Sequence, residues 1–144
     1  MDEYEALKLK NQLCFPLYAA SREIIKHYHP YLSALDLTYT QYLAMMVFWE
    51  EKQISVKKLG ERLFLDSGTL TPVLKSLEKK GYLVKHRSEE DERVVIAQVT
   101  EQGMALREQV KDIPAQVGSC VRLEPEEAAV LYKLLYKTLG LNGD

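Results

Sequence analysis

Between positions 67 and 93 the chain places a set of side chains suited to gripping a polyanion. Ser67, Thr69 and Thr71 offer small hydroxyls within one short stretch, and Lys75 and Lys79 follow at four-residue spacing. Lys85, Arg87 and Arg93 add three more cations just beyond. Small donors allow close approach to phosphates and base edges, and the cations hold the backbone. A second chemistry is carried by sulfur, at Cys14 and Cys120. On residue type alone a solitary cysteine is more often a small buried hydrophobe than a reactive thiol. Arg22, two helical turns on, is the nearest downstream cation to Cys14.

Charge alone favours solvated faces over a polyanion site. Residues 56–93 hold nine Lys or Arg and seven Asp or Glu, a net of +2 against −2 for the whole chain. Four of the acids are one cluster, Glu89-Glu90-Asp91-Glu92. Other classes are set aside more firmly. Two cysteines 106 positions apart make no disulfide scaffold. His27, His29 and His86 lack metal-site spacing, so neither a metal nor another cofactor is expected. No apolar run reaches membrane-spanning length, and the start Met1-Asp2-Glu3-Tyr4-Glu5 is acidic, unlike a secretory signal. The expected compartment is the cytoplasm.

The elements that must position these residues follow from hydrophobic spacing in a 144-residue chain, 47% hydrophobic and 28% charged, read as one domain. Residues 7–28 carry a helical stripe through Leu13, Leu17, Ile24 and Tyr28, with Pro16 forcing a kink or a late start. Residues 39–50 are apolar on most faces and read as a buried central helix. Ser55 caps a short helix from Val56 to Leu63. A second helix spans about 67–80, started by Asp66 or at Thr71-Pro72 and stopped by Gly81. Its stripe of Leu70, Val73, Leu74 and Leu77 turns the hydroxyls and lysines outward. The period then falls to two, giving strands over 82–87 and 93–99 around an acidic turn. Thr100 caps a further helix with Leu106, Val110, Ile113 and Val117 on one face, bent or ended at Pro114. A last helix starts at Pro125 and carries Ala128, Leu131, Leu134, Leu135 and Leu139. The result is mainly α with a small β-hairpin. Two short helices followed by a hairpin is the order of a winged helix-turn-helix, with the 67–80 helix for recognition and a wing over about 83–99.

Asp91-Glu92-Arg93, followed by an apolar strand ending at Val99-Thr100, resembles the wing motif of MarR-family transcription regulators. Gln12-Leu13-Cys14-Phe15 with Leu17-Tyr18, and the run Phe64-Leu65-Asp66-Ser67-Gly68-Thr69-Leu70-Thr71-Pro72, resemble its OhrR branch, which represses organic hydroperoxide resistance genes. Staphylococcal redox-sensing virulence regulators share these motifs. The resemblance implies a homodimer on a pseudo-palindromic duplex. Residues 1–36 and 104–144 would form the dimerisation helices, and residues 39–100 the winged helix-turn-helix. Asp91 would orient Arg93, which would enter a narrow minor groove.

The resemblance also places Cys14 at the branch's peroxide-sensing cysteine. Tyr28 and Tyr39 fall on tyrosines that hydrogen-bond its sulfur, and Tyr18 either lines the pocket or packs in the core. Such hydrogen bonds favour the thiolate, the species that attacks a peroxide. Cys120 lies where two-cysteine members carry a resolving thiol, and reads equally as that thiol or as a packing cysteine beside Gly118-Ser119. Two other regulators fit the residues: one responding to a phenolic ligand, and one responding to general redox or virulence signals. A thiol peroxidase is disfavoured, because no basic residue and no second thiol neighbours Cys14, so no catalytic residue is assigned and the chain is read as no enzyme. A module that no longer binds DNA is disfavoured by the Ser67-to-Lys75 face and Arg93.

Overall fold

The computed structural model describes residues 2–141. Two 3-10 turns, Glu5–Leu7 and Leu9–Asn11, precede α1, Cys14–Ser33. Pro16 therefore sits in the first turn of α1, where a missing N–H costs nothing. The late start, not the kink, is the outcome, and the expected 7–28 helix shifts to 14–33. α2, Tyr39–Glu51, is capped by Thr38, whose hydroxyl accepts from the Gln41 N–H at 3.2 Å. In return the Gln41 side chain accepts from the Thr38 N–H.

A strand unseen in the sequence follows, β1, Gln53–Ser55. Next come α3, Val56–Leu63, with Ser55 as its cap, and α4, Ser67–Lys79, with Asp66 accepting from the Thr69 N–H at 2.7 Å. The Asp66 start is used, and Pro72 is accommodated inside α4. Gly81 takes φ +86°, the left-handed turn that stops α4 and that glycine adopts without strain.

β2, Leu83–Arg87, and β3, Val95–Val99, form the wing. Both strands are shorter than expected, and β3 begins two residues late. The Asp91 carboxylate accepts from the Arg93 N–H at 3.0 Å, and the Val94 N–H donates to the Asp91 carbonyl at 3.0 Å. Arg93 thus belongs to a side-chain-closed turn, not to a strand. The expected hairpin is also part of a three-stranded antiparallel sheet, order β1-β3-β2, with Ile54 opposite Ala97 and Lys85 opposite Ala97 on the other side.

Thr100 caps the next segment, accepting from the Gly103 N–H. The single expected helix is three short ones: α5, Glu101–Ala105; α6, Arg107–Val110; and α7, Ile113–Gly118. Pro114 is the second residue of α7 rather than the end of a helix, in a first turn where its missing N–H and fixed φ are tolerated. Leu106, Val110, Ile113 and Val117 are nevertheless all buried. They join Tyr42, Met45 and Phe48 of α2, Leu59 of α3, the α4 stripe, and Leu83 and Ala97 of the sheet in one core.

α8, Pro125–Thr138, forms as expected behind a Glu124 capping box. None of its residues is buried; Leu134 is 51% exposed. The start of the chain is equally uncovered, at Leu7, Leu9, Leu13, Phe15 and Leu17.

Candidate nucleic-acid interface and thiol site

The outer face of α4 carries Ser67, Thr69, Thr71, Lys75 and Lys79, all exposed. The face exists because Leu70, Val73, Leu74 and Leu77 are drawn into the core. The Thr71 hydroxyl donates to the Ser67 carbonyl at 2.7 Å, one residue before Pro72, whose missing N–H leaves the Gly68 carbonyl without its helical donor. Ser67 and Thr69 stand on the first turn, where free N–H groups and the helix dipole also favour anions.

The wing cations divide. Arg87 donates to the Glu92 carbonyl at 3.3 Å, bracing the hairpin tip. Lys85 turns to Glu78 of α4 at 3.6 Å and is largely covered. Arg93 is different: its guanidinium projects into solvent, 90% exposed, while Nε and Nη2 donate to the two Asp91 oxygens, each at 3.1 Å. Those bonds hold the Asp91 carboxyl below its ordinary range. The pair is bidentate and pre-aimed. Lys57 and Lys58 of α3, unmarked in the sequence, border the same groove as Asp91 and Arg93. Their signal was their exposure next to the buried Leu59.

Cys14 is the first residue of α1, exposed and free. Tyr18, one turn on, is 59% exposed and lies under the Arg22 guanidinium, 5.2 Å from the ring centroid. Tyr28 stacks on Tyr39 at 4.9 Å and on Tyr42 at 5.7 Å. Burial raises the pKa of Tyr28 and Tyr39 and pushes Tyr42 up to about 12. All three phenols therefore keep their protons, and so their donor capacity, at neutral pH. One chain does not bring these tyrosines to the thiol. Cys14 and Tyr28 are fourteen residues apart on one helix, about 21 Å at 1.5 Å per residue. Cys120, just past α7, is also exposed and free, its thiol 3.8 Å from the Gln116 carbonyl. Among the described residues no cluster of His, Cys, Asp and Glu could hold a metal ion, and no helix is long and apolar enough to cross a membrane.

The sequence profile of the family described as transcriptional regulator SarA/Rot matches residues 26–110. The organic hydroperoxide resistance transcriptional regulator of Bacillus subtilis is 47% identical over 96% of this chain and 94% of its own length. Reduced AbfR bound to DNA, a protein of Staphylococcus epidermidis, superposes with a TM-score of 0.78 at 35% identity, covering 94% of this chain and 95% of that one. AbfR has also been solved overoxidised on DNA and with a disulfide formed. A cysteine-to-serine mutant of Escherichia coli MarR complexed with operator DNA gives a TM-score of 0.82 at 26% identity, covering 96% of this chain and 99% of that one.

Proposed function

The chain belongs to the MarR family of winged-helix transcription regulators, within the branch of the organic hydroperoxide regulators, and on that premise we propose that it is a dimeric repressor that leaves its operator when an organic hydroperoxide oxidises Cys14. It acts in the cytoplasm, on a pseudo-palindromic duplex. Two α4 helices enter successive major grooves, with Ser67, Thr69 and Thr71 toward base edges and Lys75 and Lys79 on phosphates. Arg93, held by Asp91, enters the flanking minor groove, and Lys85 and Arg87 support the wing. The observation that carries the DNA half is the solvent-directed, bidentately braced Arg93 beside an α4 face of small hydroxyls.

The dimer follows from the uncovered apolar residues of the first segment and of α8. It also resolves the separation between thiol and tyrosines. Since a single α1 keeps Cys14 about 21 Å from Tyr28, the phenols that meet each thiol come from the second copy. Protonated Tyr28 and Tyr39 donate to the sulfur and favour the thiolate, with Tyr18 lining the approach. The thiolate then attacks a peroxide oxygen. An S–O bond forms, the O–O bond breaks, sulfur loses two electrons, and the alkoxide leaves as an alcohol after taking a proton. The sulfenic acid condenses with a second thiol, Cys120 of the other copy, forming S–S and releasing water.

A gel shift on the chain's own promoter tests the reading. Reduced protein binds, cumene hydroperoxide releases it, and Cys14→Ser binds but no longer responds. Absence of any shift at low salt would overturn it, because phosphate contacts alone give weak binding. A cleft between α1, α2 and α4, lined by Tyr28, His29, Tyr39 and Lys80, favours a second reading as a sensor of small phenols. In that case a phenol releases Cys14→Ser as readily as wild type.

A further inference from the structure

Gln41 is the one buried polar side chain among the described residues, 7% exposed, and all of its bonds converge on helix ends. Its oxygen accepts from the Thr38 N–H and from Lys80 Nζ, each at 3.1 Å. Its nitrogen donates to the Ser76 hydroxyl at 2.9 Å. Lys80 closes α4, and its ammonium also donates to the Asp36 carbonyl, with the Asp36 carboxylate 3.6 Å away. Asp36 stands at φ +54° in the turn joining α1 to α2. Lys80 is only 23% exposed and points into the protein, unlike Lys75 and Lys79 on the same helix.

We propose that Gln41, Ser76 and Lys80 are positioning residues, a polar clamp that fixes the recognition helix at its DNA-binding angle and ties that angle to the tyrosine pair. Tyr39, two residues before Gln41, packs on Tyr28 of α1. The first turn of α2 therefore carries both Tyr39 and Gln41, and Tyr28, Tyr39, Gln41, Ser76 and Lys80 border one cleft between α1, α2 and α4. A shift at Tyr28 and Tyr39 must be absorbed either by the clamp or by α4. Buried bonds to a charged group have few alternative geometries, so the clamp resists small strain and gives way as a unit. The clamp's effect on DNA rests on the function proposed above; its effect on α4 in the free protein does not.

Lys80→Met removes the donor and keeps the stem, Ser76→Ala removes the hydroxyl, and Ser76→Thr restores it. In the free protein, hydrogen exchange of the amides over 76–81 and over the 34–38 turn accelerates together in Lys80→Met. Unchanged protection there overturns the clamp, whether or not the chain binds DNA. On a fluorescent duplex of the chain's own promoter at 25 °C, Lys80→Met and Ser76→Ala each lower affinity about five- to tenfold, and Ser76→Thr recovers it. The slope of log affinity against log salt stays at the wild-type value, because no phosphate contact is lost. A slope smaller by about one places Lys80 on a phosphate and overturns the proposal. Unchanged affinity overturns it as well. The ratio of reduced to oxidised affinity narrows in Lys80→Met, because the free variant already samples the released angle.

Discussion

The side chains of the wing show how one carboxylate can organise a cation without burying it. Asp91 fixes Arg93 through a backbone bond and a two-pronged side-chain bond, all at the protein surface. Arg93→Ala lowers operator affinity about tenfold and reduces the salt slope by about one, measured by fluorescence anisotropy. Asp91→Asn causes a smaller loss with the slope unchanged, since the cation stays and only its aim is lost. The pH dependence follows from the sign of the Asp91 shift. Its folded pKa lies below the ordinary 3.8, so the pair's contribution is complete above that value and fades only as pH falls through the lower folded one. An NMR titration of the Asp91 carboxyl gives a midpoint below 3.8, and wing geometry does not change between pH 5 and 8. At this scale the sequence was most legible where a motif carried the geometry, as at Asp91 and Arg93. It was silent where contacts are distant, as for Gln41 and Ser76, thirty-five positions apart.

Elements were legible where local rules govern them. Ser55, Asp66 and Thr100 each cap the helix that follows, as the sequence indicated, and Thr38, not among the expected caps, does the same for α2; these side-chain bonds need only neighbours three residues on. β1 was invisible for the opposite reason: three residues give no period, and Gln53–Ser55 is a strand only because β3 offers it a partner. The break of the expected fifth helix into α5, α6 and α7 likewise reflects packing more than propensity. Gly103 marks where that packing is closest. A Cβ there would lie 2.4 Å from the Tyr82 carbonyl oxygen and 2.7 Å from a Val99 methyl. The Gly103 carbonyl also accepts from the Trp49 indole at 2.9 Å. Gly103→Ala forces α5 away from the sheet and destabilises the fold by about 1–3 kcal/mol, seen as a lower thermal midpoint. An unchanged midpoint would mean that α5 is not held against the sheet as described.

At the scale of the molecule, the winged-helix elements share one closed core with Leu32 of α1 and with Leu106, Val110, Ile113 and Val117, while the first segment and α8 leave apolar faces for a second copy. α8 leaves Val130, Leu131 and Leu134 in solvent, Leu139 follows just past its end, and the first segment leaves Leu7, Leu9 and Leu13. Sedimentation is expected to give twice the 16.6 kDa chain mass, and Leu134→Asp to shift the protein toward single chains and weaken operator binding. After cumene hydroperoxide, a non-reducing gel is expected to show a doubled band for wild type and single chains for Cys120→Ser. Single chains in both would remove Cys120 from the resolving role. The sequence indicated apolar faces on these helices. The fourteen-residue spacing of Cys14 and Tyr28 on one expected helix already implied their separation, but the packing of Tyr39 and Tyr42 of α2 against Tyr28 appears only in the fold.

The acidic wing tip sets how the repressor spends its time in a cell. Glu89, Glu90 and Glu92 stand exposed on the turn that also carries Arg93, on a chain that is net negative. A chromosome offers on the order of a million or more competing sites, all held through phosphates. In the proposed complex, in which Arg93 enters the minor groove, the carboxylates of the same turn weaken each of those encounters, while a matched minor groove still draws the guanidinium in. On the proposed mode of binding, fewer copies are then sequestered on random DNA, and a smaller pool of molecules suffices to occupy the operator.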